Sequence, residues 1–341
     1  MRTYLLPETG HFYKANLHCH TTVSDGKKTP EEIKELYMKK GYSIVAYTDH
    51  NAFIPHNDLT DENFLALNGM EMDIVNNYGN HEEYEVARCD LSLIALDPSI
   101  VYQPLWHRKM YQDNLRDEIK AMIQIDENES NYRRTYEIGA ISYLMQTARK
   151  KGFYVILNHP TRSRERYVNY TRYEGMHAIE MLNGDSIRTG HDEYNTRIYD
   201  DILNTGKRIY GVAGDENRNF APDESRYSDS GWAFTMIKAQ TLDYASVADA
   251  LEKGYFYVSE GPEIYELYVE DGKIHVKCSE AVHITCTSQH RVGQRIVTEL
   301  GQEVTEAVFS VQPEWGRFRI TVRDKRGRLA YTNAYLPEDW M

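Results

Sequence analysis

Short apolar runs alternate with helix-like segments along the first 260 or so residues, and this alternation commits the chain to an α/β fold with a parallel sheet. Strand-like runs fall at 15–20, 43–49, 66–72, 92–96, 154–158, 178–182, 209–213 and 233–238. Thr29-Pro30-Glu31-Glu32 reads as a helix start, with Thr29 as cap, Pro30 at the first helical position and Gly41 as the stop. The stretches 138–151 before Gly152 and 244–253 before Gly254 have the same form. The pattern predicts a sheet that is open or closed into a barrel. After Gly261-Pro262 it changes to short β runs at 264–269, 273–278, 282–287, 307–311 and 318–323, with turns such as Glu270-Asp271-Gly272 between them. That is the signature of a small antiparallel, sandwich-like domain. The expected division is 1–260 and 261–341, with a polar insertion at about 97–137 over one face of the first unit. Trp106 and His107 either anchor that insertion or line a substrate entrance.

The bulk numbers narrow the class of protein. At 341 residues, with 41% hydrophobic and 27% charged residues, the chain has an ordinary globular composition. Its apolar runs are strand-sized and fall far short of the roughly 20 residues of a membrane span. The first eight residues are too short in apolar content for a secretion signal, so a cytoplasmic protein is expected. A net charge of −13 argues against an extended nucleic-acid surface. It leaves room for a small phosphorylated substrate, because bound divalent cations invert the local sign of a site. Cys19, Cys89, Cys278 and Cys286 form no Cys-x-x-Cys pair, which fits a reducing compartment.

The chemistry is concentrated at strand ends. In His18-Cys19-His20 the alternation of a strand turns both imidazoles to one side and Cys19 to the other. Asp25 follows in a polar loop that can fold back as an oxygen ligand. Thr48-Asp49-His50, Gly69-Met70-Glu71, Asn158-His159-Pro160 and Gly214-Asp215 each close a strand, and His81 lies in a polar loop. In parallel α/β barrels these ends build the active site. Several imidazoles and carboxylates without a thiolate suit Zn, Mn or Fe. The set is too large for one ion, so two or three divalent metals are expected, with Glu71 or Asp215 bridging. Such clusters generate a hydroxide at neutral pH and clamp a phosphoryl group. Arg162 is either a bidentate phosphate clamp or a surface arginine in the basic run 162–166.

In this order, from His18 to Asp215, the motifs resemble the polymerase and histidinol phosphatase (PHP) family. Ala178-Ile179-Glu180-Met181-Leu182-Asn183 and the stretch from Ala250 to Pro262 look like the stand-alone, two-domain CehA/McbA-like type. The resemblance implies a distorted (β/α)7 barrel followed by a small antiparallel β domain. It assigns His18, His20, Glu71 and Asp215 to a first metal, Asp25 and His50 to a second, and Glu71, His81 and His159 to a third. Asp49 would orient these ligands rather than bind. Asp25, His50 and Arg162 are the residues expected at the reaction itself. The implied activity is hydrolysis of a small phosphorylated molecule by a metal-bridging hydroxide. The alternatives are hydrolysis of an amide or of a carboxyl or carbamate ester at the same centre, or a non-catalytic binding module. The chain departs from the family where an Asp should be followed two or three residues later by His. After Asp215 come Glu216, Asn217, Arg218 and Asn219. Asn217 as a weak oxygen ligand, or Arg218 as a substitute for a metal's charge, are the two ways to fill that gap.

Overall fold

The computed structural model describes residues 2–76 and 87–341. Its first ten strands are β1 (Arg2–Tyr4), β2 (His11–Cys19), β3 (Ile44–Tyr47), β4 (Leu65–Val75), β5 (Arg88–Ala95), β6 (Phe153–Leu157), β7 (Ala178–Asn183), β8 (Tyr210–Gly214), β9 (Phe234–Ala239) and β10 (Phe256–Ser259). Then come β11 (Ile264–Glu270), β12 (Lys273–Ala281), β13 (His283–Ser288), β14 (Gly293–Val297), β15 (Val304–Ser310), β16 (Phe318–Arg323) and β17 (Leu329–Thr332). Among the described residues the larger sheet runs β14-β13-β16-β17-β10-β9-β2-β3-β4-β5-β6-β7-β8, and a second runs β1-β11-β12-β15. No helix among the described residues is long and apolar enough to cross a membrane.

The sheet is mixed rather than wholly parallel. β2, β3 and β4 pair in parallel, as do β6, β7 and β8, but β5 is antiparallel to both β4 and β6. β4 and β5 are joined without a described crossover helix, so β5 returns beside β4 in the opposite sense. Among the described residues the ladder does not close. At the open edge, the backbone after β8 lies against the end of β2: Glu216 N–H donates to His18 O (2.8 Å), and His20 N–H donates to Asn217 O (3.1 Å).

The helix expected after Thr29 spans Pro30–Lys39, and Thr29 and Glu32 form a reciprocal capping box. The Tyr244–Lys253 helix ends on Gly254 at φ 72°, a left-handed conformation that glycine adopts without a Cβ penalty. Leu17, Ala46, Leu67, Ile94, Ile156, Ala178 and Val212 belong to one buried apolar cluster on β2 to β8. Farther along the same faces the strands turn polar. Glu71 follows Leu67 by four residues, and Asn158 and Glu180 follow Ile156 and Ala178 by two. On the reversed β5, Ser92 and Asp90 precede Ile94 instead. One apolar floor therefore carries the polar groups at its C-terminal end for the forward strands, and at the N-terminal end of β5.

The C-terminal strands form two layers. Ile264, Leu267, Val276 and Phe309 of the smaller sheet share a buried cluster with Ile284, Phe318 and Ile320 of the larger. β17 pairs with β10, so the larger sheet continues across the Gly261-Pro262 junction. β1, from the other end of the chain, pairs with β11.

Candidate metal centre

Glu71 is the point on which the site converges. It is fully buried on β4, and its carboxylate faces four imidazoles from three chain segments. Oε2 lies 3.4 Å from His18 Nε2, 3.5 Å from His20 Nε2 and 3.1 Å from His50 Nδ1. Oε1 lies 3.2 Å from His159 Nε2 and accepts from Asn158 Nδ2 at 2.7 Å. His18 and His20, two residues apart at the end of β2, both face Glu71. Cys19 points into the apolar cluster with Ile33 and Tyr37.

Surrounding carboxylates fix these rings. Glu180 Oε1 is 2.8 Å from His18 Nδ1, which aims Nε2 at Glu71. Glu180 Oε2 accepts from the His159 backbone N–H (2.8 Å) and from Asn183 Nδ2 (3.0 Å). Asp73 Oδ1 is 3.0 Å from His50 Nδ1. Arg218 Nη2 is 3.0 Å from His50 Nε2. A guanidinium can only donate, so the tautomer with the proton on Nδ1, shared with Asp73, satisfies both contacts. Asp49 accepts from Thr21 N and Oγ1 (both 2.8 Å) and from Ser24 Oγ (2.6 Å). It thereby holds the loop that carries Asp25.

The electrostatics call for cations. Among the described residues, Asp25, Asp73, Asp90 and Glu216 form side-chain ion pairs with the guanidiniums of Arg88, Arg162 and Arg218, while Glu71 and Glu180 face imidazoles. Burial resists charge on His18, but Glu180 and Glu71 outweigh it and push its pKa well up. Burial, then the charges of Arg218 and His50, hold His20 well below the ordinary imidazole range, in the neutral form that binds a metal. Among the described residues, His18 Nε2, His20 Nδ1, His20 Nε2 and Glu71 Oε2 are buried without a hydrogen-bond partner. Orphaned buried polar atoms are costly, and a divalent cation between His18 Nε2, His20 Nε2 and Glu71 Oε2 would satisfy three of the four. Ligand atoms gather in the sets His18–His20–Glu71, Glu71–Asp90–His159, His18–His159–Glu216, His20–Asp25–His50 and His50–Glu71–Asp73. The residues present therefore fit a divalent metal centre.

The structure brings His18, His20, Asp25, His50, Glu71 and His159 together, as the motifs predict. His81 lies outside the described residues. Asp215 is a correction. Its carboxylate is aimed away from the imidazoles and accepts from Tyr37 Oη (2.9 Å) and from the backbone N–H groups of Gly231 (2.6 Å), Trp232 (2.8 Å) and Ala233 (3.0 Å). The next residue, Glu216, takes a left-handed φ of 52° and faces the site instead. Its Oε1 is 3.7 Å from His159 Nε2. Asn217 also faces away, bonded through Oδ1 to Asn16 Nδ2 (3.0 Å) and Tyr37 Oη (2.8 Å), so it fills no ligand gap.

Arg162 borders the cavity and is held by Glu216 Oε2 (2.7 Å) and Asp185 Oδ2 (3.4 Å). The cavity, about 390 Å³, opens over Asp73, Arg88, Asp90, His159, Arg162 and Arg218. Asn114 of the insertion reaches its rim, whereas Trp106 and His107 do not line it. Sequence reasoning missed Asp73, Arg88, Asp90, Glu180 and Glu216. Asp73 was within reach, because it follows Glu71 by two residues on one strand and so shares its face.

No protein-family model matches the chain. Over 208 residues it is 28% identical to the DNA polymerase/3'-5' exonuclease PolX of Bacillus subtilis, covering 52% of this chain and 36% of that protein. The chain thus spans about a third of the length of this curated relative. Among solved structures, it overlays on a two-domain protein of Bacteroides vulgatus described as containing a "predicted PHP-like metal-dependent phosphoesterase", with 12% identity, TM-score 0.45, and coverage of 97% of this chain and 98% of that one. It also overlays on an amidohydrolase of Chromobacterium violaceum with bound sulfate and no metal, with 15% identity, TM-score 0.36, and coverage of 60% and 87%.

Proposed function

From a chain that is PHP-like in motif order and in the cluster those motifs build, we propose a metal-dependent hydrolase, a phosphoesterase acting on a small phosphorylated molecule. The observation that carries this reading is the buried, unpartnered set of His18 Nε2, His20 Nε2 and Glu71 Oε2 beside an arginine-lined cavity. His18, His20 and Glu71 would hold one ion. Glu71, Asp90 and His159 would hold a second, with Glu216 adjoining both. Divalent ions bound there supply Lewis-acid activation of water and charge for the phosphoryl oxygens.

The chain's own groups do the rest. Glu180 and Asn158 fix the orientation of His18 and Glu71. Arg162 and Arg88 offer planar donors to an anionic group in the cavity, the geometry that matches a phosphoryl face. We read β2 to β8 as an opened form of the (β/α)7 barrel and residues 261–341 as the accompanying β domain.

Chelator-treated protein, reloaded separately with Zn, Mn or Fe, should be assayed against phosphomonoesters, phosphodiesters and carboxyl esters. Phosphoester turnover that disappears on chelation and returns with a divalent ion is expected. Turnover confined to carboxyl esters, or indifferent to chelation, would contradict the proposal.

A further inference from the structure

We infer that the Arg218 guanidinium stands in the place of a divalent ion between Asp25 and His50, so that this centre combines two ions with one fixed organic cation. The inference rests on the metal-centre reading above and specifies how far that centre extends.

His20, Asp25 and His50 bring ligand-type atoms within 4.8 Å of one another, as a third ion would require. Arg218 already occupies the surroundings of that point. Its Nε donates to Asp25 Oδ2 at 2.7 Å, and its Nη2 meets His50 Nε2 at 3.0 Å. Its Nη1 donates to Glu216 Oε1 at 3.1 Å. All three nitrogens are thus spent on groups that would otherwise face a cation. A guanidinium keeps its charge at any working pH and so cannot yield the position by losing a proton.

The backbone holds it there. Arg218 N–H donates to Asp229 Oδ2 (2.8 Å), and Arg218 O accepts from Lys27 N–H (2.8 Å). Glu216, two residues before it, and Asn219, the residue after it, take left-handed φ values of 52° and 59°, uncommon for residues with a Cβ. The side chain is only 15% exposed. The contrast with the other ligand sets is chemical. Around His18, His20 and Glu71 the facing atoms lack partners, whereas Asp25 Oδ2 and His50 Nε2 have one, and it is cationic.

The test is a metal count by elemental mass spectrometry on protein saturated with Mn or Zn and freed of excess. The wild type should hold two equivalents, and Asp25→Ala should hold the same two. Arg218→His, shown folded by circular dichroism, should hold three, with the added one lost when Asp25→Ala is combined with it. Three equivalents in the wild type, or a count that falls in Asp25→Ala, would overturn the inference and leave the metal centre standing. So would a folded Arg218→His that holds no more than the wild type. A wild type that binds no divalent ion would overturn both readings.

Discussion

Glu71→Gln is expected to abolish turnover and to empty both ion positions while the protein stays folded. One carboxylate serves both ligand sets: Oε2 faces His18, His20 and His50, and Oε1 faces His159. The amide is nearly the same size, so the apolar floor beneath it is undisturbed. What changes is charge and donor sense. An NH2 group replaces one oxygen, and it can only donate toward nitrogens that must be lone-pair donors to a cation. The rate should fall by at least about 10²–10³-fold, the scale seen when one preorganised electrostatic group is removed. Metal content measured with the rate decides the cause. Loss of both together supports the account, whereas full metal content with normal turnover would show that Glu71 is not the shared ligand.

Asp215→Ala should show the opposite behaviour, a large loss of stability with the metal count retained. Burial raises the pKa of this carboxyl, and its hydrogen bonds with Ala233, Gly231, Tyr37 and Trp232 oppose that rise. Removing it leaves the backbone N–H groups of Gly231, Trp232 and Ala233 without their acceptor, while Tyr37 keeps Asn217 Oδ1. Each unsatisfied group costs roughly 1–3 kcal/mol, and breaking a buried charged network costs about 3–5 kcal/mol. Denaturant unfolding should therefore shift by several kcal/mol, while metal bound per folded chain stays at the wild-type value. If Asp215→Ala instead loses an ion without loss of stability, Asp215 is a ligand after all and the assignment of Glu216 to the site is mistaken.

That correction marks where the sequence was legible and where it was not. His18 and His20, His50, Glu71 and His159 could be read because each closes or follows a short apolar run, and the period of a strand then says which way it points. Asp215 and Glu216 are adjacent carboxylates just past a strand end, so one residue of register decides which enters the site. The backbone bond from Glu216 N–H to His18 O sets that register across 198 positions of sequence. Asp90 escaped notice for a related reason. It sits near the beginning of a strand, and only the reversal of β5 carries that end to the site. Glu180 is a charged residue inside an apolar strand, and its partner His18 lies 162 residues away. The change to an all-β texture after Gly261-Pro262 was visible in the turns, but the pairing of β17 with β10 was not, because both are four-residue strands with little pattern of their own.

The most direct test of the Glu71-centred account is anomalous diffraction from crystals of the wild-type protein soaked in Mn or Zn. Peaks should lie at Glu71, one shared with His18 and His20 and the other with His159, and none between Asp25 and His50, where Arg218 sits. Peaks at Asp215, or no ordered ion within reach of Glu71, would contradict it.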